Sequence, residues 1–195
     1  MTAPHLPPTD PNGPIEEADL AVAEKLVPAA ETPLIRALGA ATDLSDQEPL
    51  YAATAAFAVT GIFLRDLRSF RAGTEMLAAH LFATALRGIV KQLVDRTRPI
   101  AAAHRGRYEL RDGQRYESDF NSFPSGHSAG ALAVAATVAR QYPIATGPAL
   151  ALAGATAVAQ VVRSKHFVTD VLAGAAIGWV AAALIGQLVG RAERT

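Results

Sequence analysis

The chain has 195 residues, no cysteine and a formal net charge of zero, from 18 basic and 18 acidic residues. Half of it is apolar and only 18% is charged, below the roughly 25% of an ordinary soluble domain. These values exclude a disulfide scaffold, a thiolate metal site, a cysteine nucleophile and a wholly disordered chain, and the zero net charge argues against a nucleic-acid binder.

The charge balance hides an asymmetry. Residues 1–48 carry nine acidic side chains against two basic ones, a net of −7, so the remainder carries +7 and is suited to anions. Residues 1–14 hold five of the twelve prolines and no apolar run, which predicts a disordered Pro-rich tail. Residues 15–48 form an acidic segment in which Leu20, Ala23 and Val27 fall at helical spacing. Pro28 and Pro33 interrupt it, so one or two short amphipathic helices are expected.

From residue 49 to 190 the chain reads as a helical bundle, followed by a short tail at 191–195. Apolar helical stretches are expected at 49–64, 75–94, 125–139, 144–162 and 171–190. Residues 141–162 and 171–190 are 22 and 20 positions without a formal charge, long enough to span a bilayer. The stretch 75–94 is interrupted by Glu75, His80, Arg87 and Lys91, which suits a helix lining a polar site. Strand patterns are nearly absent. Gly174 and Gly178, and Gly186 and Gly190, repeat at the four-residue spacing that permits close helix packing. The expected fold class is all-α, a helical bundle forming a polytopic membrane protein with about five apolar helices.

Three polar clusters interrupt this pattern. In the first, Lys91 precedes Arg98-Pro99 by seven residues, nearly two helical turns, and an ammonium with a guanidinium suits a phosphate group. In the second, Pro124-Ser125-Gly126-His127 opens a helix, where backbone N–H groups make an anion site and an imidazole can transfer a proton. In the third, His166 and Asp170 lie four apart, so on a helix the carboxylate can fix the imidazole tautomer. Each cluster alone also fits an ordinary capped or basic helix end. If the helices alternate direction, however, all three fall at one end of the bundle.

Together the clusters resemble the signature of the type 2 phosphatidic acid phosphatase / vanadium haloperoxidase superfamily: Lys-x6-Arg-Pro, then Pro-Ser-Gly-His, then Ser-Arg-x5-His-x3-Asp. The resemblance covers roughly residues 49–190. It implies metal-independent hydrolysis of a lipid phosphomonoester or diphosphate, with no cofactor. His166 would be the nucleophile, Asp170 its orienting group and His127 the proton donor. Lys91, Arg98, Gln160 and the backbone N–H groups of Ser125 and Gly126 would hold the phosphoryl oxygens. The implied partners are a lipid phosphate substrate and membrane lipids, in a bacterial-type plasma membrane, with no nucleic acid. The chain departs from the pattern at the third motif, where Ala159 and Gln160 replace Ser-Arg. Arg163 and Lys165 are candidates to compensate. The departure leaves a phosphate-lipid binding protein as an alternative to the enzyme, beside a vanadate-dependent haloperoxidase and a soluble acid phosphatase.

Overall fold

A computed structural model describes residues 5–6, 13–42, 46–113 and 117–192. Most of the expected Pro-rich tail, and residues 193–195 of the C-terminal tail, lie outside the described residues. The described chain forms eight α-helices and one two-stranded antiparallel ribbon. They are α1 (Pro14–Leu26), α2 (Pro33–Thr42), α3 (Gln47–Phe63), α4 (Leu67–Leu93), β1 (Val94–Arg96), α5 (Pro99–Arg105), β2 (Leu110–Asp112), α6 (Gly126–Gln141), α7 (Thr146–Val162) and α8 (Val168–Ala192).

Local chemistry accounts for most boundaries. Pro14 and Pro99 stand at the first positions of α1 and α5, where a missing N–H costs nothing. Asp66 caps α4, accepting from the Arg68 N–H and the Ser69 hydroxyl. Ser125 caps α6. Gly106 ends α5 with φ +63°, the left-handed conformation that glycine adopts without penalty.

The core is built from alanine. Ala79 and Ala83 of α4, Ala133 of α6, and Ala181 and Ala182 of α8 are buried against one another, with Ala136, Ile177 and Ile185 around them. Such small side chains bring backbones close. A Cβ at Gly174 or Gly178 would overlap the carbonyl oxygen of Ser125 or Ala129, so the glycine pair on α8 sets its approach to α6.

Two stretches, Pro143–Val162 and Val168–Arg191, are long and apolar enough to cross a membrane. Only 22% and 33% of their most apolar windows are buried, so most of that apolar surface faces outward, unlike a soluble core helix. Leu152, Val158, Leu172, Trp179 and Leu188 stand exposed on these helices.

The polar link after α4 is more ordered than its sequence pattern indicates. Val94, Asp95 and Arg96 pair with Asp112, Arg111 and Leu110, and α5 packs between the two strands in sequence. Three-residue strands carry no alternation that a sequence could display, which is why periodicity missed them.

Helix direction puts the clusters at one end. The start of α4 meets the end of α6, with Arg68 donating to the Gln141 carbonyl and lying 4.6 Å over the Tyr142 ring. The end of α4 meets the start of α6, with Arg87 Nε donating to the Pro124 carbonyl at 3.2 Å. The Ser125 N–H donates to the Asp170 carbonyl at 2.9 Å, joining the starts of α6 and α8.

Candidate active site

His166 lies in the loop between α7 and α8 and is 3% exposed. The loop is held by the Gln160 carbonyl, which accepts from the Lys165 and His166 amides, and by the Ser164 carbonyl, which accepts from the Ile100 amide. Ser164 itself takes a left-handed φ of 51°, a strained conformation for a residue with a side chain.

The His166 ring is fixed by a backbone group. Its Nδ1 lies 2.6 Å from the Ser122 carbonyl oxygen. A carbonyl can only accept, so Nδ1 carries the proton and Nε2 keeps the lone pair. Asp170 Oδ2 stands 3.9 Å from Nδ1, an ion-pair distance and not a hydrogen bond. The sequence pattern assigns the orienting hydrogen bond to Asp170; in the structure Ser122 makes it. Burial holds the His166 pKa below the usual imidazole value, against the opposing pull of Asp170.

Asp170 acts one step away. Its Oδ2 accepts from the Ser122 hydroxyl at 2.5 Å and from the Phe167 N–H at 2.8 Å. The second bond is half of a capping box at the start of α8. Its Oδ1 accepts from Arg96 Nη1 at 2.8 Å. Arg96 also donates to Thr169 Oγ1 at 2.8 Å, to Tyr108 Oη at 3.2 Å and to Asp19 Oδ2 at 2.9 Å. Its guanidinium lies 4.0 Å over the Phe167 ring. Burial opposes the Arg96 charge, but Asp170, Tyr108 and Asp19 outweigh it and raise the Arg96 pKa.

The acidic N-terminal segment is thereby part of the site's support. Asp19 on α1 is 3% exposed and also accepts from the Thr169 N–H at 3.1 Å. Leu20 and Ala23 of the same helix pack on Phe167, the neighbour of His166.

The other residues of the sequence pattern stand as follows. Lys91 is half-buried in the last turn of α4. Arg98 sits between β1 and α5, its Nε donating to the Ser118 carbonyl at 3.0 Å. Burial lowers the Arg98 pKa, with Asp119 opposing. Arg98 is within electrostatic reach of both His166 and Lys91. His127 is the second residue of α6, its Nε2 3.6 Å from the Asp46 carboxylate, which is exposed at the rim.

Ser125 requires a correction. Its N–H is committed to the Asp170 carbonyl, so the amide expected to bind phosphate is occupied. The Gly126 N–H, first in α6, has no intrahelical acceptor. Gln160 is 1% exposed at the end of α7, and its side-chain Nε2 has no hydrogen-bond partner. Arg163 turns toward α2, its Nε 2.9 Å from where a Cβ on Gly39 would lie. Among the described residues no three His, Asp or Glu side chains gather as a metal site requires.

A family model described as the PAP2 superfamily matches residues 72–194, which is more than half of the chain. The chain belongs to the PAP2 superfamily. No curated protein sequence matches it. Among solved structures it is similar to the first transmembrane PAP2-type phosphatidylglycerolphosphate phosphatase from Bacillus subtilis, with a TM-score of 0.67 and 22% identity over 91% of this chain and 87% of that one. It is also similar to Aquifex aeolicus LpxE, with a TM-score of 0.63 and 18% identity over 88% of this chain and 93% of that one. At these identities the likeness establishes a shared fold.

Four contributors had no place in the sequence pattern. Arg96 lies inside the first motif, and its position two residues before Arg98 was the available signal. Ser122 acts through its carbonyl, which has no sequence signature. Asp19 is one acid among nine in its segment. Arg87 is one helical turn before Lys91, so the i,i+4 rule could have placed both on one face.

Proposed function

We propose that the protein is a membrane-bound phosphatase that hydrolyses a lipid phosphomonoester or diphosphate through a phosphohistidine on His166. The observation that carries this reading is the buried His166, held by Ser122 in the tautomer that leaves Nε2 nucleophilic, with Arg98 within electrostatic reach of it and Lys91 within reach of Arg98. Membership of the PAP2 superfamily supports the reaction class. The two outward-facing apolar helices support a membrane-embedded protein and a lipidic substrate; the bacterial-type plasma membrane is part of the proposal.

In the first step His166 Nε2 attacks phosphorus, the bond from phosphorus to the leaving oxygen breaks, and His127 gives that oxygen its proton. In the second step water attacks the phosphohistidine, the P–N bond breaks, and His127 takes the proton from the water. Lys91, Arg98, the Gly126 N–H and the unpaired Gln160 amide hold the phosphoryl oxygens as charge redistributes. Asp170 keeps Ser122 and the first turn of α8 in place, which keeps the imidazole aimed. Asp46, beside His127, must yield to an incoming anion, because two negative groups at that rim repel.

The test is phosphate release from a panel of lipid phosphates by detergent-purified protein in EDTA, with His166→Ala as control. Release that survives EDTA and vanishes in the variant is the expected result. Failure to release phosphate from any member of the panel would favour the binding-protein alternative.

A further inference from the structure

We propose that Arg87 is a phosphate-binding residue of this site, supplying from α4 the guanidinium that position 160 lacks. The inference rests on the phosphatase reading above. Arg87 lies one helical turn before Lys91, so both side chains leave the same face of α4. Its guanidinium is pressed against the start of α6. A Cβ on Gly126 would lie 2.8 Å from Arg87 Cζ and 3.0 Å from Nε and Nη1, so the glycine of the Pro-Ser-Gly-His turn makes room for it. Its Nε donates to the Pro124 carbonyl at 3.2 Å. That bond spends one edge of the fork and leaves the terminal amino groups for a ligand.

The charges around it point to an anion. Arg87, Lys91 and Arg98 lie within one another's electrostatic reach. Like charges gathered in a half-buried site raise one another's energy, and an anion relieves this. The exposed Asp46 carboxylate, within reach of Arg87 and Arg98, opposes both, and Asp119 and Asp170 also oppose Arg98.

Other arginines are engaged elsewhere. Arg96 is bound by Asp19 and Asp170. Arg105 is bound by Asp119. Arg140 is with Glu75, on the end of α6 remote from His127. Arg163 lies against Gly39 of α2, within electrostatic reach of Arg98 but not among the charges that shift Arg87 or Lys91. At position 160 itself, the buried amide Nε2 of Gln160 has no partner, but it is neutral. A guanidinium arriving from α4 restores the charge that this helix end does not carry.

The test uses the detergent-purified full chain, with two readouts: kcat/KM on a lipid phosphate and the affinity for orthovanadate, a phosphate-shaped anion. Arg87→Gln is expected to lower both by roughly 10- to 150-fold. Adding Gln160→Arg to Arg87→Gln is expected to recover part of both losses, which a merely structural tie between α4 and the Pro124 turn would not allow. Arg68→Gln, at the opposite end of α4, is the comparison and is expected to change orthovanadate affinity far less. Where Arg87→Gln fails to fold, Arg87→Lys takes its place, since it keeps the charge and loses the fork. Unchanged orthovanadate affinity in the folded Arg87 variant overturns the inference, whatever happens to turnover. A wild type that binds orthovanadate through Arg87 but releases no phosphate keeps the inference and removes the phosphatase reading.

Discussion

On the α8 side of His166, buried polar groups are paired with one another. Asp170 accepts from Arg96, Ser122 and Phe167, and Arg96 is shared with Asp19. Across from it, Arg87, Lys91 and Arg98 lie within one another's electrostatic reach, Arg87 and Arg98 each bound through Nε to a backbone carbonyl, and at the end of α7 the Gln160 amide Nε2 has no partner. The first side is complete without a ligand, as a positioning network has to be. The second is incomplete, as a preorganised anion site has to be before its anion arrives. On the proposed function, this contrast divides the residues that position His166 from those that would hold its substrate.

Substitutions on the two sides should fail in different ways. The largest effect on stability is expected from Arg96→Met. It leaves Asp170 and Asp19 buried without their cation, and should cost about 3–5 kcal/mol, read as a lowered unfolding midpoint in detergent. Equal midpoints for variant and wild type would break the comparison. Lys91→Met should do the reverse, lowering kcat/KM by roughly 10- to 150-fold while leaving the unfolding midpoint unchanged or raised, because it removes a repelled cation. Gly174→Ala should destabilise by about 1–3 kcal/mol, since its methyl group would overlap the Ser125 carbonyl and push α8 from α6. Asp19→Asn should lower stability by about 1.5–3 kcal/mol, with a smaller loss of activity than Lys91→Met, since Asp19 reaches His166 only indirectly, through Arg96 and Thr169.

The smallest effect concerns pH. The pKa of His166 is held below 6.5, so the neutral imidazole persists to lower pH than in a free histidine. The acid limb of kcat/KM that belongs to the nucleophile should fall below pH 6.5, measured across an acidic pH series with a substrate whose own ionisation is corrected for. A limb above that value, moved by Asp170→Asn, would contradict the placement of His166 in a desolvated site.

How much of this was legible in the sequence follows from the range of each interaction. The helices α3, α6, α7 and α8 stand close to where runs poor in charge predicted helices, because helix formation is local and apolar composition is a local signal, whereas α4 carries Glu75, Arg87 and Lys91 and begins at Leu67, eight residues before the expected 75. The gathering of Lys91, Arg98, His127 and His166 at one end followed from counting helices between motifs, which needs only their parity. The acidic segment was readable as helical from the spacing of Leu20, Ala23 and Val27, but its docking was not. The Asp19–Arg96 contact joins residues 77 apart, and nothing in either neighbourhood marks the partner. The part Ser122 plays in orienting His166 was out of view for a related reason. A carboxylate four residues away is visible in a sequence, while the carbonyl of Ser122, 44 residues away, is a backbone group that every residue has.

The proposed function stands on His166 Nε2 as the nucleophile. The most direct measurement is trapping of a phosphoenzyme, by denaturing quench of the wild type during turnover of a lipid substrate labelled in its phosphate. Label is expected on the protein, stable to alkali, labile to acid, located on His166 and absent from His166→Ala. Turnover by the wild type with no label on the protein, or label on another residue, would contradict it.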